Sequence, residues 1–376
     1  LTAAFPAALT NLVTIMQTLE QKLHESGGKP SGFNYIRIVL AISIIAWHSV
    51  LVCYGGIAEI PFYTGPLRPL VHFLVPSFFA LSGFLVAGSL ERVDNLPTFL
   101  TLRFLRIFPA LVCEVVISAF LIGAALTTLP LAEYFAHPTF HHYFLNVLGD
   151  IQYALPGVFE ANPSKVVNIQ LWTIPYELKC YILLTLAALV GLHRRPRLFL
   201  LLLSVATVIL TVINYKYGTF PLGGRPSGRF VVWAFLWGVA LFLMRHKIAC
   251  HVLPFVFSVL AIWFLLRMRE TEYLAAPAVA YATVYIGSQD FRKTLLLKAG
   301  DISYGLYLYG FAVQQAAYQL LPQHRSWLEN FIVSLLVSAV FGYLSWTYVE
   351  SKVLEYKTAA IRFVLSISGS VRNWVA

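Results

Sequence analysis

The chain has 376 residues, 59% hydrophobic and only 12% charged, with a formal net charge of +10 and a mean hydropathy of +0.73. A soluble domain carries about twice that charged fraction, so the composition excludes an ordinary globular protein and points to a polytopic membrane protein. The basic balance does not indicate nucleic acid, because Lys and Arg sit in short loops between apolar runs, as the positive-inside rule expects.

The first 30 residues lack the basic start, compact apolar core and small-residue cleavage site of a signal peptide. Residues 9–24 read as a short amphipathic helix lying on the membrane surface. Apolar runs long enough to cross about 30 Å of hydrocarbon follow near 34–54, 68–91, 109–130, 170–192, 196–214, 227–244, 249–266, 271–286, 301–320 and 328–350. The expected fold is therefore all-α, a polytopic membrane helical bundle of about ten transmembrane helices. It spans residues 33–355, between a cytoplasmic or interfacial N-terminal segment, 1–32, and a cytoplasmic tail, 356–376. The long connection 131–169 is expected to form short interfacial helices, since structureless loops of that length are uncommon. Lys and Arg outside the spans are in excess on the side of the N-terminus, which places both termini in the cytoplasm. Cys53, Cys113, Cys180 and Cys250 lie in or beside apolar segments, none near another, so no disulfide framework or paired-cysteine metal pattern is expected.

The first span, "YIRIVLAISIIAWHS" (35–49), carries Arg37 and His48. Eleven residues make three helical turns and a small remainder, so the two share a face, roughly 16 Å apart along the axis. One reading has Arg37 snorkelling to the interface and His48 bonded to a carbonyl in the bundle. The other, which ionisable groups in membranes favour, makes His48 a general base and Arg37 the holder of an anion. In the second span "FFALSGFLVAG" (78–88) places Ser82 and Gly83 either for close helix packing or for the passage of a long, thin ligand. "RFLRIFP" (103–109) puts Arg103 and Arg106 three apart on one face, just before a third span that Pro109 is expected to open. They are either positive-inside anchors or a phosphate clamp. "HPTFHH" supplies His137, His141 and His142, but no carboxylate is spaced to complete a site, and no metal is expected. "LWTIPYE" brings Trp172 and Glu177 to the start of the fourth span, with Glu177 at a depth matching His48. Lys179, two residues on, faces elsewhere.

Taken in order, these motifs resemble the acyltransferase 3 family of integral membrane acyltransferases. That family carries an Arg and a His ten residues apart in its first span, here Arg37 and His48. It carries "FFxxSGF", here "FFALSGF"; "RxxRIxP", here "RFLRIFP"; "LWTLxxE", here "LWTIPYE"; then "SYGLYLY" (303–309) and a closing "SWxxxE", here "SWTYVE" (345–350). The matches run in the family's order over roughly 33–355. Where the family often has Gly and Ser before "LWT", this chain has Ile169 and Gln170. Where it often has His after "SYGLYLY", this chain has Gly310. Many relatives add a C-terminal extracytoplasmic SGNH domain, for which the short tail leaves no room.

The resemblance implies transfer of an acyl group, commonly acetyl, from cytoplasmic acyl-CoA to a hydroxyl of a cell-envelope carbohydrate, such as an O-antigen or exopolysaccharide unit on a polyprenyl carrier. The setting is the bacterial cytoplasmic membrane. Acyl-CoA is a co-substrate, and no tightly bound cofactor is expected. On this reading His48, Glu177 and Arg37 are catalytic, with Glu177 orienting the imidazole. Arg103, Arg106, Arg37, Ser82 and Gly83 hold the acyl-CoA, and Trp172, Tyr309 and Gln314 meet the acceptor. Direct attack by the acceptor hydroxyl and an acyl-histidine relay both fit. The competing class is a transporter or proton-coupled carrier using Arg37, His48, Glu177 and Lys179. It lacks the related halves that carriers commonly show.

Overall fold

All ten apolar runs carry helices. The computed structural model describes residues 17–93, 95–218, 226–294 and 301–375, with side chains described as far as 366. The helices are α1 (Gly32–Tyr54), α2 (Leu74–Glu91), α3 (Leu96–Val116), α4 (Ile174–Leu189), α5 (Pro196–Tyr217), α6 (Gly228–Leu243), α7 (Val252–Leu265), α8 (Glu272–Gly287), α9 (Ser303–Leu320) and α10 (Trp327–Ser345). Among the described residues, five helical stretches are long and apolar enough to cross a bilayer by length and composition, and α6 and α7 are shorter apolar helices. α7 buries none of its residues, and much of α5 also faces outward with Leu, Val and Ile. Such a surface is stable only where lipid covers it, so the chain is an integral membrane helical bundle.

The bundle is organised around the crossing of α2 with α6. A Cβ on Gly83 would collide with the Phe235 carbonyl, and one on Gly238 with the Ala80 carbonyl, so the two backbones touch through reciprocal glycines. Gly83 thus packs helices together, whereas Ser82 beside it lines a cavity. Gly83→Val is expected to force the pair apart and cost about 1–3 kcal/mol or more. A drop in thermal midpoint and loss of a monodisperse peak in detergent would register it; a native midpoint would contradict the crossing.

The third helix departs from the sequence expectation. It begins at Leu96 and runs through Pro109 without ending, so Arg103 and Arg106 lie inside the helix and not before it. It continues as a π-helical turn, Ile117–Gly123. At the onset of that turn Glu114 is fully buried, and its Oε1 accepts hydrogen bonds from Ser118 (2.7 Å) and from the Asn168 side chain. Asn168 also donates to the Ser118 and Tyr143 hydroxyls, which ties the long connection to the bundle. That connection contains the short helices Leu131–Ala136 and Pro138–Tyr143. His137 caps the second, its Nδ1 accepting the Thr139 N–H at 3.2 Å.

Specific contacts also fix Arg68 and the N-terminal helix. Arg68 is buried, 2% exposed; it donates to the Leu266 carbonyl and stands 4.0 Å from Glu272, joining the start of the second span to the α7–α8 junction. Of the amphipathic segment 9–24, residues 9–16 fall outside the described residues. The helix Leu19–Glu25 docks on the loop after α6, through Leu19 N–H to Ile248 O (2.9 Å) and Cys250 N–H to Gln17 O (2.7 Å). The tail is a helix, Lys357–Val375.

Candidate functional site

A cavity of about 870 Å³ runs into the bundle from the end where the helix Leu19–Glu25 lies. One stripe of α2 forms its long wall: Val75, Phe78, Ser82, Leu85, Ser89 and Arg92, spaced three and four residues apart and so on one helical face. From Val75 to Arg92 this wall extends about 26 Å at 1.5 Å per residue. The cavity is therefore long, apolar along its middle and different at its two ends.

Cations crowd the mouth. Arg37, Arg103, Arg106, Arg92, Lys29 and Arg245 all line it, but they are not equivalent. Arg106 binds Asp301 Oδ2 at 2.6 Å and Glu350 Oε2 at 3.1 Å, and its guanidinium lies 5.4 Å from the centre of the Tyr304 ring. Arg37 binds the same Asp301 oxygen at 2.7 Å and turns another nitrogen to Asn34. Asp301 also accepts the Ser303 hydroxyl at 2.6 Å, and Glu350 the Ser345 hydroxyl at 3.2 Å. Two arginines and two carboxylates thus close into a neutral cluster joining α1, α3 and the two ends of the α9–α10 pair. Arg245 bridges Glu20 (3.4 Å) and Glu91 (3.0 Å) across the mouth. Arg103 differs: it reaches the Ser89 hydroxyl at 3.2 Å, its Nε is buried without a partner, and among the described residues it forms no ion pair.

The inner end is built from hydroxyls, and the carboxylate of Glu177 lies between them and the arginines, near enough to Arg106 and Arg103 to feel their charge. Thr173 and Tyr307 line it with their hydroxyls 2.8 Å apart. Both reach the Gln170 carbonyl, at 3.1 and 3.0 Å. The Gln170 side chain, in place of the family's small residue, donates to the Leu308 carbonyl and to Asn168 Oδ1 (3.2 Å). Glu177 lines the cavity from α4 and accepts the Tyr181 hydroxyl at 2.6 Å.

His48 is not among the residues lining this cavity. Its ring stands edge-on to Phe311, centroids 5.2 Å apart. Phe311 lies four residues beyond Tyr307 on α9, so His48 sits one helical turn past the inner end. Among the described residues, no hydrogen bond or ion pair joins His48 to Glu177: His48 packs on Phe311, while Glu177 turns to Tyr181. The expected acceptor residues also separate. Gln314 is fully buried and staples α9 to α1 by donating to the Ile45 carbonyl and the Ser49 hydroxyl, both at 2.7 Å. Tyr309 faces Phe341 of α10 at 5.7 Å, and Trp172 stands edge-on to Tyr176 at 5.8 Å. None of the three lines the cavity. Lys179 lies over the Tyr176 ring, 4.8 Å from its centre. Gly310 lies where α9 meets α1, a Cβ there falling 3.0 Å from Ile45.

With this geometry in place, comparison with known proteins identifies the fold's lineage. Residues 31–349 match the acyltransferase 3 family, described as "Acyltransferase domain". The chain belongs to the acyltransferase 3 family. It is 26% identical over 342 residues to a protein of Shigella phage Sf6 named "O-acetyl transferase", covering 87% of this chain and 96% of the relative. It is 28% identical over 323 residues to "Nodulation protein 10" of Rhizobium leguminosarum bv. viciae, covering 78% of this chain and 85% of that protein. No solved structure matches. In this acyltransferase, sequence reading missed Asp301, Tyr307 and Arg92. Asp301 had a signal in plain view: Arg37 and Arg106 inside apolar helices each require a carboxylate, and Asp301 stands at the head of the "SYGLYLY" stretch.

Proposed function

We propose that the protein is a membrane O-acyltransferase that takes an acyl group, acetyl in the simplest case, from acyl-CoA and places it on a hydroxyl of a cell-envelope polysaccharide or its lipid-linked precursor. The observation that carries this reading is the shape of the cavity. It is long, cationic at its mouth, apolar along its middle, and lined at its inner end by the Thr173 and Tyr307 hydroxyls. An acyl-CoA is likewise extended, with phosphates at one end and a thioester at the other. The excess of Lys and Arg on the mouth side supports placing the mouth in the cytoplasm, where acyl-CoA is. The name of the phage relative supports acetyl as the group moved.

The chemistry follows from the polar groups present. The acceptor oxygen attacks the thioester carbonyl; a C–O bond forms, the C–S bond breaks, and the hydroxyl proton passes through a base to the leaving thiolate. His48 serves as that base, standing one turn past the donor's inner end, on the side from which an extracytoplasmic hydroxyl arrives. Arg37 and Arg106 brace the wall, and Glu177 with Tyr181 sets the polarity beside the thioester. The test is mass spectrometry of envelope glycans with and without the gene, paired with coenzyme A titration of purified protein. A glycan gaining one acyl group, together with coenzyme A binding, is expected. Unchanged glycans and no binding would overturn the assignment.

A further inference from the structure

The mouth holds more cations than one neutral cluster can use, and their partners sort them. Arg37 and Arg106 are committed to Asp301 and Glu350, and Arg245 to Glu20 and Glu91. Lys29 and Arg92 are exposed, line the same cavity, and among the described residues form no ion pair. Arg103 is held by Ser89, one turn of α2 from Arg92, with its Nε still unpaired. Three cations that form no ion pair among the described residues thus line one cavity, at the Arg92 end of an α2 face that runs to the inner hydroxyls. Arg92 and Arg106 both stand near enough to Arg103 to repel it, and an anion between Arg92 and Arg103 would relieve that repulsion. A phosphate reaching Arg106, by contrast, would have to displace two carboxylates already bonded to it.

We propose that Arg92 and Arg103, with Lys29 across the mouth, hold the phosphates of the acyl donor, and that Arg106 touches none. This divides the two arginines of "RFLRIFP": Arg103 is a binding residue, and Arg106 a positioning residue that holds α3 against α9 and α10. Arg92 lies outside every motif shared with the family; its place on the cavity face of α2 is what assigns it. The proposal rests on the reading of the cavity as the acyl-CoA site.

The experiment compares two donors on the purified full chain: acetyl-CoA, and acetyl-pantetheine, which has the same thioester arm but no phosphate. Wild type should favour acetyl-CoA strongly in kcat/KM. Arg92→Ala should raise KM for acetyl-CoA about tenfold, the size of one charge-assisted contact, and leave acetyl-pantetheine unchanged. Arg103→Ala should do the same with a larger factor. Arg106→Lys, which keeps the charge, should retain the wild-type preference for acetyl-CoA. Among the described residues the Arg92 side chain forms no hydrogen bond or ion pair, so its substitution tests the idea even where an α3 variant folds poorly. Equal effects of Arg92→Ala on both donors, or none on either, would overturn the assignment. A wild type that uses neither donor and binds no coenzyme A would instead overturn the donor reading beneath it.

Discussion

Arg106→Met is expected to destabilise the protein by roughly 3–5 kcal/mol, the usual cost of removing one partner from a buried ion pair. The loss comes from what is left behind. Glu350 has a side chain only 3% exposed and would keep its charge with the Ser345 hydroxyl as its remaining partner. Asp301 would keep Arg37, so one carboxylate is stranded and not two. Arg106→Met with Glu350→Met removes the stranded charge and is expected to recover most of the loss, since replacing a whole buried pair by apolar groups of similar volume is often near neutral. Thermal midpoints of both variants in one detergent measure this. A double variant no more stable than Arg106→Met would show that Glu350 is not the group stranded.

How far the sequence carried depended on whether the deciding contact was local. The ten apolar runs were legible because the bilayer demands long apolar segments and allows little else. The start of α3 was not, because Arg103, Arg106 and Pro109 together look like the end of a loop. They are tolerated inside a helix because the arginines turn into the cavity and the Asp301–Glu350 cluster, away from lipid. Spacing on one helix made Arg103 and Arg106 look alike. Their difference is set by carboxylates almost two hundred residues away or more, and no periodicity reports those. Ser82 and Gly83 were paired for the same reason, yet neighbours on a helix point about 100° apart: Ser82 meets the cavity and Gly83 meets α6. Gln314 carried a polar side chain that sequence could assign to a ligand; its Nε2 is taken up by two bonds to α1, while its buried Oε1 has no partner among the described residues. Arg92 was passed over because an arginine at the end of a span is common, and only the continuous face of α2 puts it on the cavity wall.

His48→Ala is expected to lower turnover by about a hundredfold or more, the usual contribution of a general base, while leaving coenzyme A affinity near wild type, because His48 is not part of the cavity wall. Glu177→Gln is expected to act differently. Its amide oxygen can still accept the Tyr181 hydroxyl, but the carboxylate charge that Arg106 and Arg103 feel is gone, so the loss should be smaller and should fall partly on donor KM. The double variant decides how the two are related. If Glu177 oriented the imidazole directly, His48→Ala would already abolish its contribution, and adding Glu177→Gln would cost nothing further. The structure gives the two residues separate partners, Phe311 for His48 and Tyr181 for Glu177. Their effects on the barrier should therefore add, as for groups that share no contact, and the fold-losses in kcat/KM should multiply. Single-turnover rates for the four proteins, from pre-bound acetyl-CoA to an acceptor glycan, supply the cycle. A double variant no slower than His48→Ala would mean that Glu177 works through the histidine during turnover, with α4 moving toward α1 as the acceptor binds.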